Sequence, residues 1–537
     1  MAAGFAPPLA RVLPDLLAEQ ARLCPDALAA IGETSRVSFA QLHEGAAKIA
    51  AALRRDGISR GDRIGMLLGN GPEWLEIFFG ASMAGAVVVP LSTWSTRAEL
   101  EFLIVDSGIG TLFVRPRFLD RDFAADLVEL SAAGRTARLR TVVVLGPAAS
   151  AGFVTMDSFL RDAPPVAALA PGDGPSAADD AVVLYTSGST SRPKGVRLRH
   201  YAIVENGFNI GERQGLRPGD RVFLPTPLFW SYGSANALPA ALTHGACMVL
   251  PEKFEPASAL AMIERERCTA IYTLPAITTA LLRHPDFDRA RTKTLRTGLT
   301  IGSPRDFLAA AQDLGVPDLC NIYGATETCG NCAVTDHRWP LERRARCQGL
   351  PLPGQIFRFR DLDSGELLTS GRTGLVEVSG YVSPGYSGVS ASLNPDVFAD
   401  DGFYRTGDMG FIDEDGSFVF VGRDSDMIKR AGINISPAEI EDVMKTFPGI
   451  SQAAVAGVPD PERGELVVAY VVAAGDGPVA TDALMEHCRA QLSKYKLPDR
   501  IEIAETLPLT ATGKLQRKEL RKIAATMLAG LSGASPA

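Results

Sequence analysis

The feature that most constrains this chain is an alternation. Short apolar runs rich in β-branched residues, at 63–68, 86–91, 141–145, 181–185, 247–250 and 270–274, are separated by stretches of helical periodicity such as 73–83. Apolar runs of this length suit strands buried on both faces, and intervening helices supply the crossovers that parallel strands need. The pattern therefore predicts an α/β fold, with a large N-terminal domain of βαβ layers. At 46% hydrophobic and 22% charged residues there is material for more than one core. The texture changes after residue 349. Leu350 to Gly354, Leu375 to Val378 and Phe418 to Val421 are short strands broken by Gly and Asp turns, predicting a small antiparallel sheet or β-barrel-like subdomain. From about Asp424 a smaller α+β stretch begins, with a helix over 437–445 opened by Ser436 as N-cap and Pro437 in its first turn. The expected boundaries are 1–422, 423–527 and a tail over 528–537.

Charge and termini narrow the function classes. A net charge of −8 argues against a nucleic-acid-binding protein. The most apolar stretch, 77–91, is shorter than the ~20 residues of a membrane span, so no membrane partner is expected. Residues 1–8 lack the basic-then-apolar pattern of a secretory signal. Eight cysteines are too few for a disulfide scaffold, and the expected location is cytoplasmic.

The most informative segment is Leu184-Tyr185-Thr186-Ser187-Gly188-Ser189-Thr190-Ser191-Arg192-Pro193-Lys194-Gly195-Val196. A strand runs into small hydroxyl residues and Gly, ending in one Lys. Backbone N–H groups, hydroxyls and a single ammonium in one loop make a phosphate cradle. It is not a Walker A loop, because no Gly precedes Lys194 and no Ser or Thr follows it. A second candidate is Asn321-Ile322-Tyr323-Gly324-Ala325-Thr326-Glu327-Thr328. Its aromatic ring, Gly turn, hydroxyl and carboxylate suit a base, a phosphate oxygen and a hard cation. In the third, Tyr404-Arg405-Thr406-Gly407-Asp408, an Asp beyond a Gly turn can accept both hydroxyls of a ribose. Each alone has a plainer reading: a flexible linker, a capped helix start, a surface turn.

In this order, and joined by Gly422 to Pro437 and by Leu507 to Arg517, these segments resemble the AMP-forming adenylating superfamily: acyl- and aryl-CoA synthetases, peptide-synthetase adenylation domains and luciferases. The resemblance extends from about Asp62 to Lys518. It implies that Thr186, Ser187, Gly188, Ser189, Thr190 and Lys194 hold the β- and γ-phosphates of ATP. Tyr323, Gly324 and the Gly302-Ser303-Pro304 turn would flank the adenine, and Thr326 would contact the α-phosphate. Glu327 would ligate Mg²⁺, and Asp408 would bind the ribose, with Arg423 beside it. Lys514 would reach from a mobile C-terminal cap to the carboxylate and α-phosphate, the cap swivelling about Ser425. Two departures stand out: Ser425 occupies the hinge position where Asp or Lys is usual, and Ser191 replaces a usual Gly. Neither removes a charged group.

The family's acid-side motif is matched by Pro227 to Gly233, with Trp230 where His is frequent. Trp230, Ser231, Tyr232, Gly233, Ile301, Ala325, Cys329 and Asn331 are the expected pocket walls, although Trp230 and Tyr232 also suit a core. Three patterns are set aside. Cys320, Cys329, Cys332 and Cys347 lack the paired spacing of a zinc site. Gly57-Ile58-Ser59-Arg60-Gly61 matches a hydrolase string but precedes a strand instead of joining strand to helix. His200 is expected to cap or pack beside the phosphate loop.

The implied activity is ATP-dependent ligation of a carboxylic acid to CoA through acyl-AMP, with Mg²⁺ as cofactor and an aryl, cyclic or medium-chain acid. A monomer or homodimer is expected. The alternative is a freestanding adenylating enzyme that loads a carrier protein. Lys429, Arg430 and Gly432, on the face expected to meet the thiol donor, favour CoA. Nothing specific supports a luciferase-like oxygenase, and Glu327, Asp408 and Lys514 argue against a non-catalytic nucleotide module.

Overall fold

The computed structural model describes residues 6–147, 152–161, 163, 174–186, 193–369, 371–430, 433–460, 463–475, 477, 479–492, 494–510 and 515–532. The chain is mixed α/β, as expected, and divides into two compact units: residues 1–357 with 378–405, and residues 358–377 with 406–537.

The first unit contains two large sheets. In the eight-stranded one, Asp180–Thr186, Val87–Pro90, Arg63–Leu67, Thr111–Val114 and Thr141–Val144 are successive parallel neighbours, or flank one another in parallel. In the nine-stranded one the parallel core runs Asp318–Tyr323, Thr297–Thr300, Ala270–Tyr272, Arg221–Phe223, Cys247–Val249, Leu28–Ile31. The Val-rich runs read from sequence supply both centres. One cluster of buried side chains takes Met66, Val88 and Val182 from the first sheet and Val222, Leu224 and Met248 from the second, together with the helices Phe39–Arg55, Pro72–Met83 and His200–Gln214. Helices are thus enclosed between the sheets, which explains why Pro72–Met83 is apolar nearly all round. Separate clusters cover the two outer faces. The layers run α–β–α–β–α.

Two segments differ from the sequence reading. Leu350–Pro351 pairs with Ala333–Val334 at the edge of the nine-stranded sheet and does not join the small one. The strands on either side of the phosphate-loop segment pair with each other: Asp180–Thr186 is antiparallel to Lys194–Arg199, with Thr186 opposite Lys194. Gly57 and Gly61, with φ of +83° and +88°, form a polar turn before the Arg63–Leu67 strand.

In the second unit a four-stranded sheet runs Ile356–Arg360, Gly374–Ser379, Tyr404–Ile412, Phe418–Arg423. Beyond it, Ile450–Asp460, Gly464–Ala473 and Arg500–Ile503 form a sheet with helices on both faces. Ile440, Met444, Leu484 and Cys488 pack on one face, Leu520 and Ala524 on the other. The helix Pro437–Lys445 begins where expected, but Ser436 does not cap it. Its hydroxyl donates instead to the Val421 carbonyl at 2.8 Å.

Candidate active site

The site in the first unit grows from the carboxyl ends of parallel strands, where open α/β sheets place their ligands. Thr297–Thr300 delivers Ile301 and the Gly302-Ser303-Pro304 turn, and Asp318–Tyr323 delivers Gly324 to Glu327. Ser303 is committed locally: its hydroxyl and the Asp306 carboxylate form a capping box on the helix Pro304–Leu308. Gly324 is required sterically, because a Cβ there would lie 2.1 Å from the Gly330 carbonyl oxygen. That close approach folds the 324–331 segment on itself. Thr326–Thr328 makes one 3₁₀ turn, and Cys329 ends it at φ +57°.

Side-chain contacts then join the motifs. The Thr326 hydroxyl donates to Ser231 Oγ at 2.9 Å, tying the expected α-phosphate contact to the acid-side motif. Glu327 is 8% exposed, and its Oε1 accepts the Tyr386 hydroxyl at 2.8 Å. The Ser383 N–H donates to the Glu327 backbone carbonyl at 2.7 Å. Lys194 Nζ sits 5.3 Å from the centre of the Tyr386 ring, within cation–π range. Lys194, Tyr386, Glu327, Thr326 and Ser231 therefore form one continuous chain of contacts. Burial and the neighbouring Glu327 carboxylate push the Tyr386 phenol far above its ordinary range, so it stays a donor.

Tyr386 was not singled out from sequence. The only local signal is its place after the Ser383-Pro384-Gly385 turn, in a strand that pairs with Lys194–Arg199 through Val196. Trp94 is a second addition. It packs edge-on against Trp230 with ring centres 5.2 Å apart and is 41% exposed, so Trp230 belongs to a partly open aromatic cluster. Tyr232 is anchored to the core: its hydroxyl donates to the Thr273 and Leu299 carbonyls, at 3.2 and 3.0 Å. Gly233 begins to bend a π-helical turn, Tyr232–Ala237, against the Pro227 and Leu228 backbone. Ala325 and Ile301 are partly and substantially exposed, whereas Cys329 and Asn331 are buried. Asn206 clamps those last two by donating to both their carbonyls, at 3.1 and 2.8 Å.

The cysteines read as a decoy behave as core. Cys320, Cys329, Cys332 and Cys347 are buried free thiols, and burial pushes Cys320 up to about 12. His200 lies fully buried at the start of its helix and accepts the Leu13 N–H at 3.3 Å, so it fastens the N-terminal helix rather than the phosphate loop.

In the second unit Asp408 and Arg423 are register partners on adjacent strands, with Nε and Oδ1 3.2 Å apart. The Asp408 carboxylate is nearly enclosed while Arg423 is largely exposed. Ser425 lies in a 3₁₀ turn, Asp424–Asp426, closed by the Met427 N–H. Lys429 is exposed, but Arg430 is held by the Asp499 carboxylate at 2.6 Å and the Leu497 carbonyl at 3.0 Å. Ser187, Gly188, Ser189, Thr190, Ser191, Gly432 and Lys514 lie outside the described residues.

Residues 17–387 match the AMP-binding enzyme family, and residues 439–514 match the AMP-binding enzyme C-terminal domain. The chain belongs to the AMP-binding enzyme family.

This AMP-binding enzyme is 33% identical over 510 residues to a feruloyl-CoA synthase of Amycolatopsis sp, covering 94% of this chain and 97% of the relative. It is 30% identical over 523 residues to a mitochondrial medium-chain acyl-CoA ligase of Mus musculus, covering 93% and 84%. Among solved structures it is similar to an anthranilate CoA ligase in complex with anthranoyl-AMP, with a TM-score of 0.86, 26% identity and coverage of 97% and 99%. It is likewise similar to ATP-bound MatB from Rhodopseudomonas palustris, with a TM-score of 0.83, 28% identity and coverage of 96% and 99%. No helix among the described residues is long and apolar enough to cross a membrane.

Proposed function

We propose that the enzyme ligates a carboxylic acid to CoA at the expense of ATP, through an acyl-AMP intermediate. The observation that carries the reading is the contact chain from Lys194 through Tyr386, Glu327 and Thr326 to Ser231. It joins a carboxylate and a hydroxyl beyond the carboxyl end of the parallel strand Asp318–Tyr323 to a cation that opens the antiparallel strand Lys194–Arg199, beside the aromatic segment suited to an acid. The curated relatives, named as CoA synthases and ligases, support the same reading.

Carboxylate and triphosphate repel, so the site must supply positive charge and in-line positioning. Lys194 and the 187–190 loop would take the β- and γ-phosphates, Thr326 the α-phosphate, and Tyr323 with residues 302–304 the adenine. Asp408 and Arg423 would take the ribose. The Glu327 carboxylate, fixed at one oxygen by Tyr386, suits Mg²⁺, which is commonly held by one or two carboxylates with substrate phosphates completing its shell. Mg²⁺ bound there would neutralise charge on the phosphoryl oxygens. The acid's oxygen forms a bond to the α-phosphorus as the bond to pyrophosphate breaks. The CoA thiol then gives up its proton to solvent as its sulfur bonds to the acyl carbon, and AMP leaves with the electron pair of the broken C–O bond. No side chain needs to act as nucleophile.

Residues 423–527 would act as the mobile cap, turning at Ser425 and bringing Lys514 to the acid. Lys429 would meet the CoA phosphates, and Arg430 would brace it through Asp499. The eight free cysteines suit a reducing cytoplasm. Product analysis with ATP, Mg²⁺ and a panel of aryl, cyclic and medium-chain acids, with and without CoA, tests the reading. Acyl-CoA, AMP and pyrophosphate are expected. Acyl-AMP that accumulates and is not consumed by CoA would transfer the assignment to carrier-protein loading. In the same assay Lys514→Ala is expected to lower acid-dependent ATP–pyrophosphate exchange far more than it weakens ATP binding; unchanged exchange removes Lys514 from the mechanism.

A further inference from the structure

Two buried amides beside the acid-side motif have donors that the fold does not use. Asn236 lies in the π-helical turn Tyr232–Ala237, five residues beyond Ser231, and is 0% exposed. Asn331 follows the Gly330 turn and is 2% exposed. They flank the same turn: a Cβ built on Gly330 would lie 3.3 Å from Asn236 Cβ, and one on Gly324 would lie 2.6 Å from Asn331 Cα. The Nδ2 groups of both are enclosed and make no hydrogen bond among the described residues.

The orientation of Asn236 is set by its neighbours. Gln214 Nε2 donates to the Tyr272 hydroxyl at 2.8 Å, and that hydroxyl donates to Asn236 Oδ1 at 3.2 Å. The carboxamide oxygen is thereby committed and the amino group points elsewhere. Asn331 is held through its main chain, whose carbonyl accepts from Asn206, while its own amino group stays unpaired. Buried donors without acceptors are costly and uncommon, so two on one turn call for an acceptor that arrives from outside. The groups placed around them, Asn206, Ala235, Tyr272 and Cys329, are uncharged. A second carboxylate would be buried there with no cation from that set. An uncharged oxygen is the acceptor that fits.

Building on the acid–CoA ligase reading, we propose that Asn236 and Asn331 donate hydrogen bonds to an uncharged oxygen at the end of the acid remote from its carboxylate. The enzyme then selects an acid with a phenol, ether or ketone oxygen there over the hydrocarbon of the same shape. Both residues act as specificity determinants within the acid pocket.

The test is acid-dependent ATP–pyrophosphate exchange by the full chain with matched pairs: 4-methoxycinnamate and 4-ethylcinnamate, 4-hydroxycinnamate and 4-methylcinnamate, 7-oxooctanoate and 7-methyloctanoate. The oxygen-bearing member of the accepted pairs is expected to lead in kcat/KM by roughly 10- to 100-fold, as when a polar site is left unpaired by an analogue. Asn331→Leu removes an amino group that has no partner to lose. It is expected to cut that preference by about tenfold or more, with Tm unchanged or raised. A purely structural Asn331 would instead lower Tm and slow both acids alike. Equal kcat/KM within every pair overturns the inference alone, as does a preference that survives in both Asn331→Leu and Asn236→Leu. No exchange with any acid overturns the ligase reading and this inference with it.

Discussion

Replacing Tyr386 by Phe removes one oxygen and leaves the ring over Lys194, so it isolates the hydrogen bond to Glu327. That bond is 2.8 Å long, joins a phenol to a carboxylate, and is sheltered, with Tyr386 3% and Glu327 8% exposed. A hydrogen bond to a charged group contributes about 1.5–3 kcal/mol, and less of it is lost to solvent competition when both partners are enclosed. At about 1.4 kcal/mol per tenfold, the loss corresponds to roughly 10- to 150-fold in the step that needs Glu327 held in place. If that step is binding of the Mg²⁺–nucleotide pair, the defect falls on KM for MgATP and on the Mg²⁺ concentration giving half-maximal exchange. Exchange rates measured across a Mg²⁺ series for wild type and Tyr386→Phe read both quantities. Tyr386→Leu, which also strips the ring from Lys194, is expected to lose more. An unchanged Mg²⁺ midpoint together with unchanged exchange in Tyr386→Phe refutes the role given to the Tyr386–Glu327 contact.

Gly324→Ala places a methyl group 2.1 Å from a backbone oxygen, which the neighbour cannot yield cheaply. Overpacking of this kind costs about 1–3 kcal/mol or more, so a lower Tm and loss of exchange are expected together, and wild-type values in both would contradict the packing argument. Burial lowers the His200 pKa from 6.5 to about 4. The unfolded chain takes up that proton below pH 6.5 and the folded one does not until about pH 4, so the stabilising effect is complete above 6.5 and is lost on acidification. By pH 5 the loss is on the order of 2 kcal/mol; urea midpoints at pH 7.5 and 5.0 should converge in His200→Gln relative to wild type.

The parts of the fold legible in the sequence are those decided by local patterning. Runs such as Thr141–Val144 and Ala270–Tyr272 carry their burial in their composition. Pairing is not legible in the same way. Lys194–Arg199 alternates polar and apolar residues and reads weakly as a strand, yet it pairs with Asp180–Thr186 and delivers Lys194. Leu350–Pro351 has the look of the small sheet but finds its partner in the large one. Ser436 shows why a capping residue is not a cap: the nearby Val421 carbonyl competes for its hydroxyl and wins. Arg430 is held by Asp499, a carboxylate 69 residues away that no local pattern connects to it. Tyr386 eluded the reading for the same reason, since its value lies in contacts with Lys194 and Glu327 rather than in its neighbours along the chain.

The return of residues 378–405 to the first unit, after the 358–377 excursion into the second, sets a schedule for synthesis. Glu327 leaves the ribosome 59 residues before Tyr386, and at about 5–20 residues per second that gap lasts roughly 3–12 s. Both sheets can be largely laid down in that time while the carboxylate still lacks its phenol and the Ser383 amide. The Tyr386–Glu327 contact is therefore among the last in the first unit to close, and a ribosome stalled before Tyr386 would display a nearly finished body with that contact still open.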